Sequence, residues 1–173
     1  MLRAGALAAT ARNVVHCDAS LATHYRKASM ADRGKRTRSF SARFSAEVVQ
    51  RLEAHSNLHG ESKARVAERL IDEGLRIAEF PGIIFRSGPT GSRAGIVGGP
   101  DVWEIVRDLK RSAESGEEDP IDAVSRATSI DRAKVALAAA YYAAYREDVD
   151  ERIQMDEEAA DRLRHALGIA SAA

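Results

Sequence analysis

The strongest constraint on the fold is a single alternating stretch, residues 39 to 44, with the sequence SFSARF. Small or charged side chains alternate there with apolar ones, and this period of two is typical of a half-buried β-strand. The segments that follow have helical periodicity, so the strand finds no partner strand in its own region. A lone strand leaves a row of backbone N–H and C=O groups unpaired. We therefore expect it to pair with the same strand of a second chain.

Two helices are predicted after the strand, and each begins at a serine. Ser45 and Ser62 can both accept a backbone hydrogen bond at a helix N-terminus. The first helix is expected to end at NLHG, residues 57 to 60, and the second at Phe-Pro-Gly, residues 80 to 82. A strand and two helices of about 40 residues bury too little apolar surface to fold alone, which again favours a dimer. The predicted dimer core contains Phe40, Ala42, Phe44, Val66, Leu70 and Ile71.

The polar face of such a two-stranded ribbon has a size that the major groove of DNA admits. On it, Arg43 could donate to guanine, while Ser39 and Ser41 could contact either type of base. The free N–H groups at the start of the second helix could hold a phosphate. A basic arm completes this surface, because residues 33 to 43 hold five basic residues and no acid. The predicted phosphate contacts are Lys35, Arg36, Arg38, Ser62 and Lys63.

These residues carry a family resemblance. The segment SFSARFSAEVVQRL, residues 39 to 52, followed by HGESKARVAERLIDEGL, residues 59 to 75, resembles the ribbon-helix-helix family of Arc and CopG repressors. The resemblance implies a dimer in which outward-facing strand residues read bases, as strand-based DNA readers do. An ordinary amphipathic hairpin of helices with a solvated basic arm is the competing interpretation.

The second region, residues 81 to 167, has the pattern of a hairpin followed by helices. Two short strands about a glycine-rich turn are predicted over residues 83 to 97, and no Gly-Lys-Ser/Thr follows that would indicate a phosphate loop. Helix starts are predicted at Asp101, Asp119 and Asp131, the last two with the spacing of a helix-turn-helix. We therefore predict a mainly α protein: a ribbon-helix-helix module, then a β-hairpin and a helical bundle containing a helix-turn-helix.

Two aromatic features lie in that bundle. Trp103 is predicted to be a core residue. The helix from residue 132 to about 145 is rich in alanine and holds three tyrosines, with few basic groups in its first turn. A DNA-reading helix would use its first-turn residues, so close helix packing or a protein contact is preferred over DNA contact for this helix.

The second region also resembles a known type of domain. Its segments PGIIFRSGPTG, GGPDVWEIV and AAYYAAYREDVDERI are similar to a small uncharacterised domain of VapB-type antitoxins, from residue 81 to about 165. Such domains accompany PIN-like ribonuclease toxins, so the resemblance implies a toxin partner without assigning the residues that contact it. The expected function is that of an antitoxin that represses its own operon. The alternatives are a repressor without a toxin and a protein-interaction adaptor that does not bind DNA.

Charge is balanced overall, at 26 basic and 26 acidic residues, but it is unevenly distributed. Residues 147 to 163 hold eight acids and two bases, which indicates either a solvated face or a surface for a basic partner. The predicted organisation is a tail and basic arm at 1 to 35, a DNA-binding module at 36 to 79, the partner-binding region at 81 to 167, and a tail at 168 to 173.

Other classes of function have little support in the sequence. Cys17 is the single cysteine, which excludes an internal disulfide and suits a reducing cytoplasm. His55 and His59 share helical spacing but lack a third metal ligand, so they are assigned to polar surface. No apolar run reaches the roughly 18 residues of a membrane helix. We expect neither enzymatic activity nor a cofactor, a metal, a small-molecule substrate or a membrane partner.

Overall fold

The computed structural model describes residues 39–168 and is mainly helical, as predicted. Within that range it contains six α-helices and one antiparallel hairpin. Most of the chain beyond the second helix wraps around one hydrophobic core. The elements in chain order are α1 (Ala46–His59), α2 (Lys63–Glu79), β1 (Ile83–Gly88), β2 (Gly91–Ile96), α3 (Val102–Glu114), α4 (Pro120–Thr128), α5 (Arg132–Ala144) and α6 (Arg146–Ala166).

Helices α1 and α2 begin at the two predicted serines. The Val48 N–H donates to Ser45 Oγ at 3.4 Å, and the Arg65 N–H donates to Ser62 Oγ at 3.3 Å. Gly60 ends α1 in the left-handed region, with a φ of 65°. Glycine pays no Cβ penalty there, which is why the turn between the helices is so short.

The predicted strand over residues 39 to 44 is not formed in the single chain. Residues 39 to 45 have no regular secondary structure and are exposed. The physical reason is that no neighbouring strand offers hydrogen-bond partners to this segment, and an isolated strand has no stability of its own. Formation of this strand in a dimer, where a second copy supplies the hydrogen-bond partners, therefore stays a prediction.

The hairpin of β1 and β2 confirms the predicted pair of short strands. Ile83 lies opposite Ile96, and Gly88 lies opposite Gly91 at the turn. Arg86 and the residue opposite it, Arg93, reach back from the strands to the start of α3. The hairpin is thereby tied to the helical bundle by charged side chains as well as by apolar ones.

Three aspartates begin the bundle helices where the sequence predicts. The Asp101 N–H donates to Glu104 Oε2 at 2.8 Å, as in a capping box. The Asp122 N–H donates to Asp119 Oδ1 at 3.1 Å, and α5 begins in the same way at Asp131. The buried core between these helices and the hairpin contains Ile83, Ile96, Val102, Ile105, Val106, Val124, Val135, Ala138, Tyr141, Val149 and Ile153.

Helix α2 ends at the predicted break, and its end packs against the second region. Phe80 contacts the rings of Tyr141 and Tyr145 at centroid distances of 5.4 and 6.0 Å. Gly82 follows with a φ of 104°, and a Cβ there would lie 2.9 Å from Leu137 Cδ2. The described residues from Ser41 onward consequently belong to one compact unit.

Candidate functional site

The three predicted base-reading residues are exposed in the segment before α1. Ser39, Ser41 and Arg43 all have open side chains. Within the described part of the chain no carboxylate forms an ion pair with Arg43, so its guanidinium group is available to a ligand. The segment that carries these residues is not a strand in the single chain, so their common orientation remains a prediction.

The predicted phosphate contacts are only partly described. Lys35, Arg36 and Arg38 lie outside the described residues. Ser62 is exposed at the start of α2 and caps it. Lys63 Nζ lies 2.7 Å from Glu53 Oε1, with both side chains about half exposed. Because such surface pairs are worth little, Lys63 could exchange Glu53 for a phosphate at small cost.

The predicted dimer core is largely an exposed apolar surface in the single chain. Phe40 is 86 % exposed, Phe44 is 54 % exposed, and Leu70 and Ile71 are about half exposed. Ala42 is exposed as well. Val66 is different: it is fully buried within the chain, because it faces the contact between α1 and α2. We name the exposed apolar side chains of the two helices, together with Phe44 just before α1, the α1–α2 apolar face; it comprises Phe44, Val48, Leu70, Ile71, Leu75 and Ile77.

Arg76 connects α2 to the bundle, a role that the sequence does not reveal. Its Nη1 donates to Asp148 Oδ2 at 2.5 Å and to the Tyr141 hydroxyl at 3.2 Å. Its Nε lies 2.8 Å from Asp72 Oδ2, and its guanidinium carbon lies 4.1 Å from the centre of the Tyr145 ring. Burial lowers the pKa of Arg76, but these hydrogen bonds outweigh burial and raise it above its usual value. The second region is therefore joined firmly to the end of α2.

The tyrosines of α5 serve helix packing, one of the two roles expected for them. Tyr141 is buried, and burial raises the pKa of its hydroxyl. The basic residues in the first turn of α5 are already engaged: Arg132 pairs with Asp119 at 2.8 Å, and Lys134 donates to the Gly98 carbonyl at 3.1 Å. Both basic residues in the first turn of α5 thus have a hydrogen-bond partner within the chain.

The acidic run in α6 has a structural role that neither interpretation of the sequence included. Three of its aspartates, Asp148, Asp150 and Asp156, bind cations of other helices. Asp148 binds Arg76 of α2, as described above. Asp150 Oδ1 accepts from Lys110 at 2.6 Å, and Asp156 Oδ2 accepts from Arg107 at 3.3 Å. These pairs hold α6 against α3, and the bond to Asp150 raises the pKa of Lys110.

The described range, residues 39–168, has neither a metal-ligand cluster nor a membrane-spanning helix. The rings of His55 and His59 lie 4.5 Å apart, but no cluster of three or more potential ligands that could hold a metal ion is found among these residues. None of the described helices combines the length and the apolar character needed to cross a bilayer. Cys17 lies outside the described residues.

Comparison with family models, with curated protein sequences and with solved structures gives no match to this chain. The similarities to ribbon-helix-helix repressors and to VapB-type antitoxins thus remain resemblances carried by short sequence segments.

Proposed function

We propose that this chain is the antitoxin of a type II toxin–antitoxin pair, acting as a dimer that binds its own operator. In the proposed dimer, residues 39 to 44 of two copies pair as an antiparallel ribbon. The second region, residues 81 to 167, binds and neutralises a PIN-like ribonuclease toxin. The observation that carries the DNA-binding half is the exposed α1–α2 apolar face next to an unpaired, alternating segment.

An exposed apolar surface of this kind favours association with another chain. On α2, Leu75 is 60 % exposed and Ile71 is 50 % exposed. Each large aliphatic side chain that a partner covers contributes about 1.5 to 3 kcal/mol. A second copy supplies the matching apolar surface and, at the same time, the missing strand partner. One symmetric contact would thus cover the exposed apolar face and pair the unpaired strand segment.

The proposed ribbon would lie in the major groove with its polar face toward the bases. Arg43 would donate to guanine O6 and N7, and the hydroxyls of Ser39 and Ser41 would contact neighbouring base edges. The N-terminus of α2, at Ser62, would direct backbone N–H groups at a phosphate. The arm residues Lys35, Arg36 and Arg38 would add phosphate contacts, which position the protein without reading sequence.

The toxin half of the proposal is supported by the resemblance of the second region to domains of VapB-type antitoxins. The contacts of Arg76 add a physical argument, because they join α2 of the DNA-binding module to α5 and α6. A toxin on the second region would then be held close to the operator. A toxin that links neighbouring dimers would raise operator affinity through effective concentration.

The direct test is a fluorescence anisotropy titration of the full chain against the DNA upstream of its own gene and a scrambled duplex. We expect tight binding to the upstream DNA, weaker binding to the scrambled duplex, and a steep loss of affinity as salt is raised. Absence of binding at low salt by a chain that is dimeric would overturn the operator proposal and favour the adaptor alternative.

The toxin half has its own test. The chain is co-expressed with the product of the adjacent gene, and the purified complex is assayed for ribonuclease activity before and after the chain is removed. We expect a stable complex with suppressed nuclease activity. Operator binding without a co-purifying nuclease would leave a repressor that acts without a toxin.

A further inference from the structure

A groove beside the hairpin lies in the second region, away from the residues of the proposed ribbon. It lies between the hairpin, the start of α3 and the first half of α6, and has a volume of about 300 Å³. This is at the small end of the range for ligand pockets. Its walls combine apolar side chains with arginines, among them Phe85, Arg93, Trp103, Val149, Arg152 and Met155.

Arg152 is the cation of this groove that has no carboxylate partner in the described chain. Its Nη1 donates to the Thr90 hydroxyl at 2.6 Å, and its guanidinium carbon lies 5.8 Å from the centre of the Trp103 ring. Its Nε is closed to solvent and has no acceptor. Asp148 lies one helical turn before Arg152, but its carboxylate binds Arg76 instead. The positive charge of Arg152 is therefore uncompensated by any ion pair.

A second arginine that lines the groove, Arg93 of β2, has spare donors. Arg93 binds Asp101 through Nε at 2.8 Å, and within the described residues its terminal nitrogens make no further hydrogen bond. Asp101 is shared with Arg86, so this trio carries one net positive charge. Arg152 adds a second positive charge, and Glu151, an exposed acid that also lines the groove, removes one, so one net positive charge remains. The hairpin side of the groove is therefore positive.

The floor and the far wall are apolar and aromatic. Val149 is buried beneath the groove, and Met155 is 42 % exposed at its edge. Trp103, predicted as a core residue, is only partly buried at the margin of the core, where it lines the groove. Its indole N–H is closed to solvent and has no acceptor among residues 39–168. The guanidinium carbon of Arg107 lies 5.1 Å from the centre of the Trp103 ring, closer than that of Arg152. Trp103 therefore contributes the part of its ring that lines the groove next to Arg152.

We propose that this groove binds a small organic acid, with its anionic head on Arg152 and Arg93 and its apolar body against Trp103, Val149 and Met155. Arginine favours a carboxylate because its planar fork matches two oxygens, and the aromatic wall favours a flat or branched body. The site is distant in sequence from the ribbon residues and does not depend on the proposed operator or toxin. It adds a small-molecule ligand to a chain for which the sequence predicts none.

The test compares benzoate with benzamide, which has the same shape and no charge, by isothermal titration calorimetry on the full chain. Trp103 is the only tryptophan, so its fluorescence reports from the groove itself. We expect saturable benzoate binding. Benzamide should bind at least about 10-fold more weakly, because hydrogen bonds to a charged group are lost. Arg152→Gln is expected to weaken benzoate by a similar factor.

Two further variants keep the test decisive. Arg126→Gln changes an exposed arginine of α4 that pairs with Asp122 at 3.4 Å, outside the groove, and should leave benzoate binding unchanged. Met155→Glu places a carboxylate at the open edge of the groove and should weaken benzoate even if Arg152→Gln does not fold. Benzoate that fails to saturate, benzamide that binds as well as benzoate, or groove variants that bind like the native chain would each overturn the proposal.

Discussion

At the scale of single residues, Asp101 is a buried carboxylate that connects the hairpin to the helical bundle. It is 8 % exposed and begins α3. Its two carboxylate oxygens accept from Arg86 Nη1 at 2.5 Å and from Arg93 Nε at 2.8 Å. Arg86 also donates to the carbonyls of Ile96 and Gly99, both at 2.8 Å. One carboxylate thus joins both strands to the first bundle helix.

This arrangement makes a pH-dependent prediction. Burial raises the pKa of Asp101, but the hydrogen bonds from Arg86 and Arg93 together outweigh burial and hold it below the ordinary value. A lowered pKa in the folded state means that the charge stabilises the fold fully above about pH 4, the unfolded value, and that this contribution is lost as the pH falls through the folded value. Asp101→Asn is expected to lower the unfolding free energy by about 3 kcal/mol at pH 7.

Urea unfolding of both proteins at neutral and at strongly acidic pH measures this effect. The difference between them should shrink in acid, because the native aspartate is then protonated too. Asp131→Asn is the matched control, since asparagine caps a helix as well as aspartate does and Asp131 is exposed. A difference that stays constant across the pH range would contradict the charged role of Asp101.

Arg43 carries the residue-scale prediction for DNA. Arg43→Ala should cost about 1 to 3 kcal/mol of specific binding and relax the preference at one base, as expected for a lost bidentate guanine contact. Arg111→Ala changes an exposed arginine of α3 and serves as the control. Anisotropy titrations against single-base variants of the operator measure both effects. An Arg43→Ala protein with unchanged base preference would disprove the ribbon pose.

At the scale of helices and strands, local signals were sufficient for most of the fold. Ser45, Ser62, Asp101, Asp119 and Asp131 each mark a helix start, because a capping side chain acts within three residues of its own position. The hairpin turn is equally local. These five helix starts and the hairpin could therefore be predicted from the chain alone, whereas α6 begins at Arg146 without a capping side chain.

Contacts between segments that are distant along the chain could not be predicted from the sequence. Nothing in the spacing of Asp148 or Arg76 shows that they meet, since 72 positions separate them. The same is true of Trp103 and Arg152, whose proximity defines the groove. The acidic run of α6 could be recognised from composition, but its partners on α2 and α3 depend on packing.

The link between α2 and the bundle predicts a local change in dynamics. Arg76→Gln removes the charge that Asp148 and Asp72 share, and hydrogen bonds to charged groups contribute about 1.5 to 3 kcal/mol. The last two turns of α2 should then exchange amide hydrogen faster, as seen by mass spectrometry. Arg51→Gln, on the exposed side of α1, is the control. Unchanged protection at the end of α2 would show that the aromatic contacts of Phe80 suffice.

At the scale of the whole molecule, the bundle buries most of its large apolar side chains and the α1–α2 pair exposes most of its own. The bundle encloses its own core, with Val135 and Ala138 fully buried. The α1–α2 pair buries Val66 and leaves most of its large apolar side chains open. A helix pair that leaves so much apolar surface exposed is stable only if a partner covers that surface or if the bundle holds the helices in place. The anchoring of α2 by Arg76 supplies the second condition, and a second copy would supply the first.

The dimer is the whole-molecule prediction. Ile71→Glu is expected to give a monomer that no longer binds operator DNA, because the dimer would bury a carboxylate without a partner, at a cost of several kcal/mol. Light scattering after size exclusion, at one protein concentration, measures the mass. Val97→Glu changes an equally exposed apolar residue, 52 % against 50 %, beyond the hairpin and should leave the dimer intact. If the Ile71→Glu protein kept a dimeric mass, the α1–α2 apolar face would not be the dimer contact, and the ribbon would lose its physical basis.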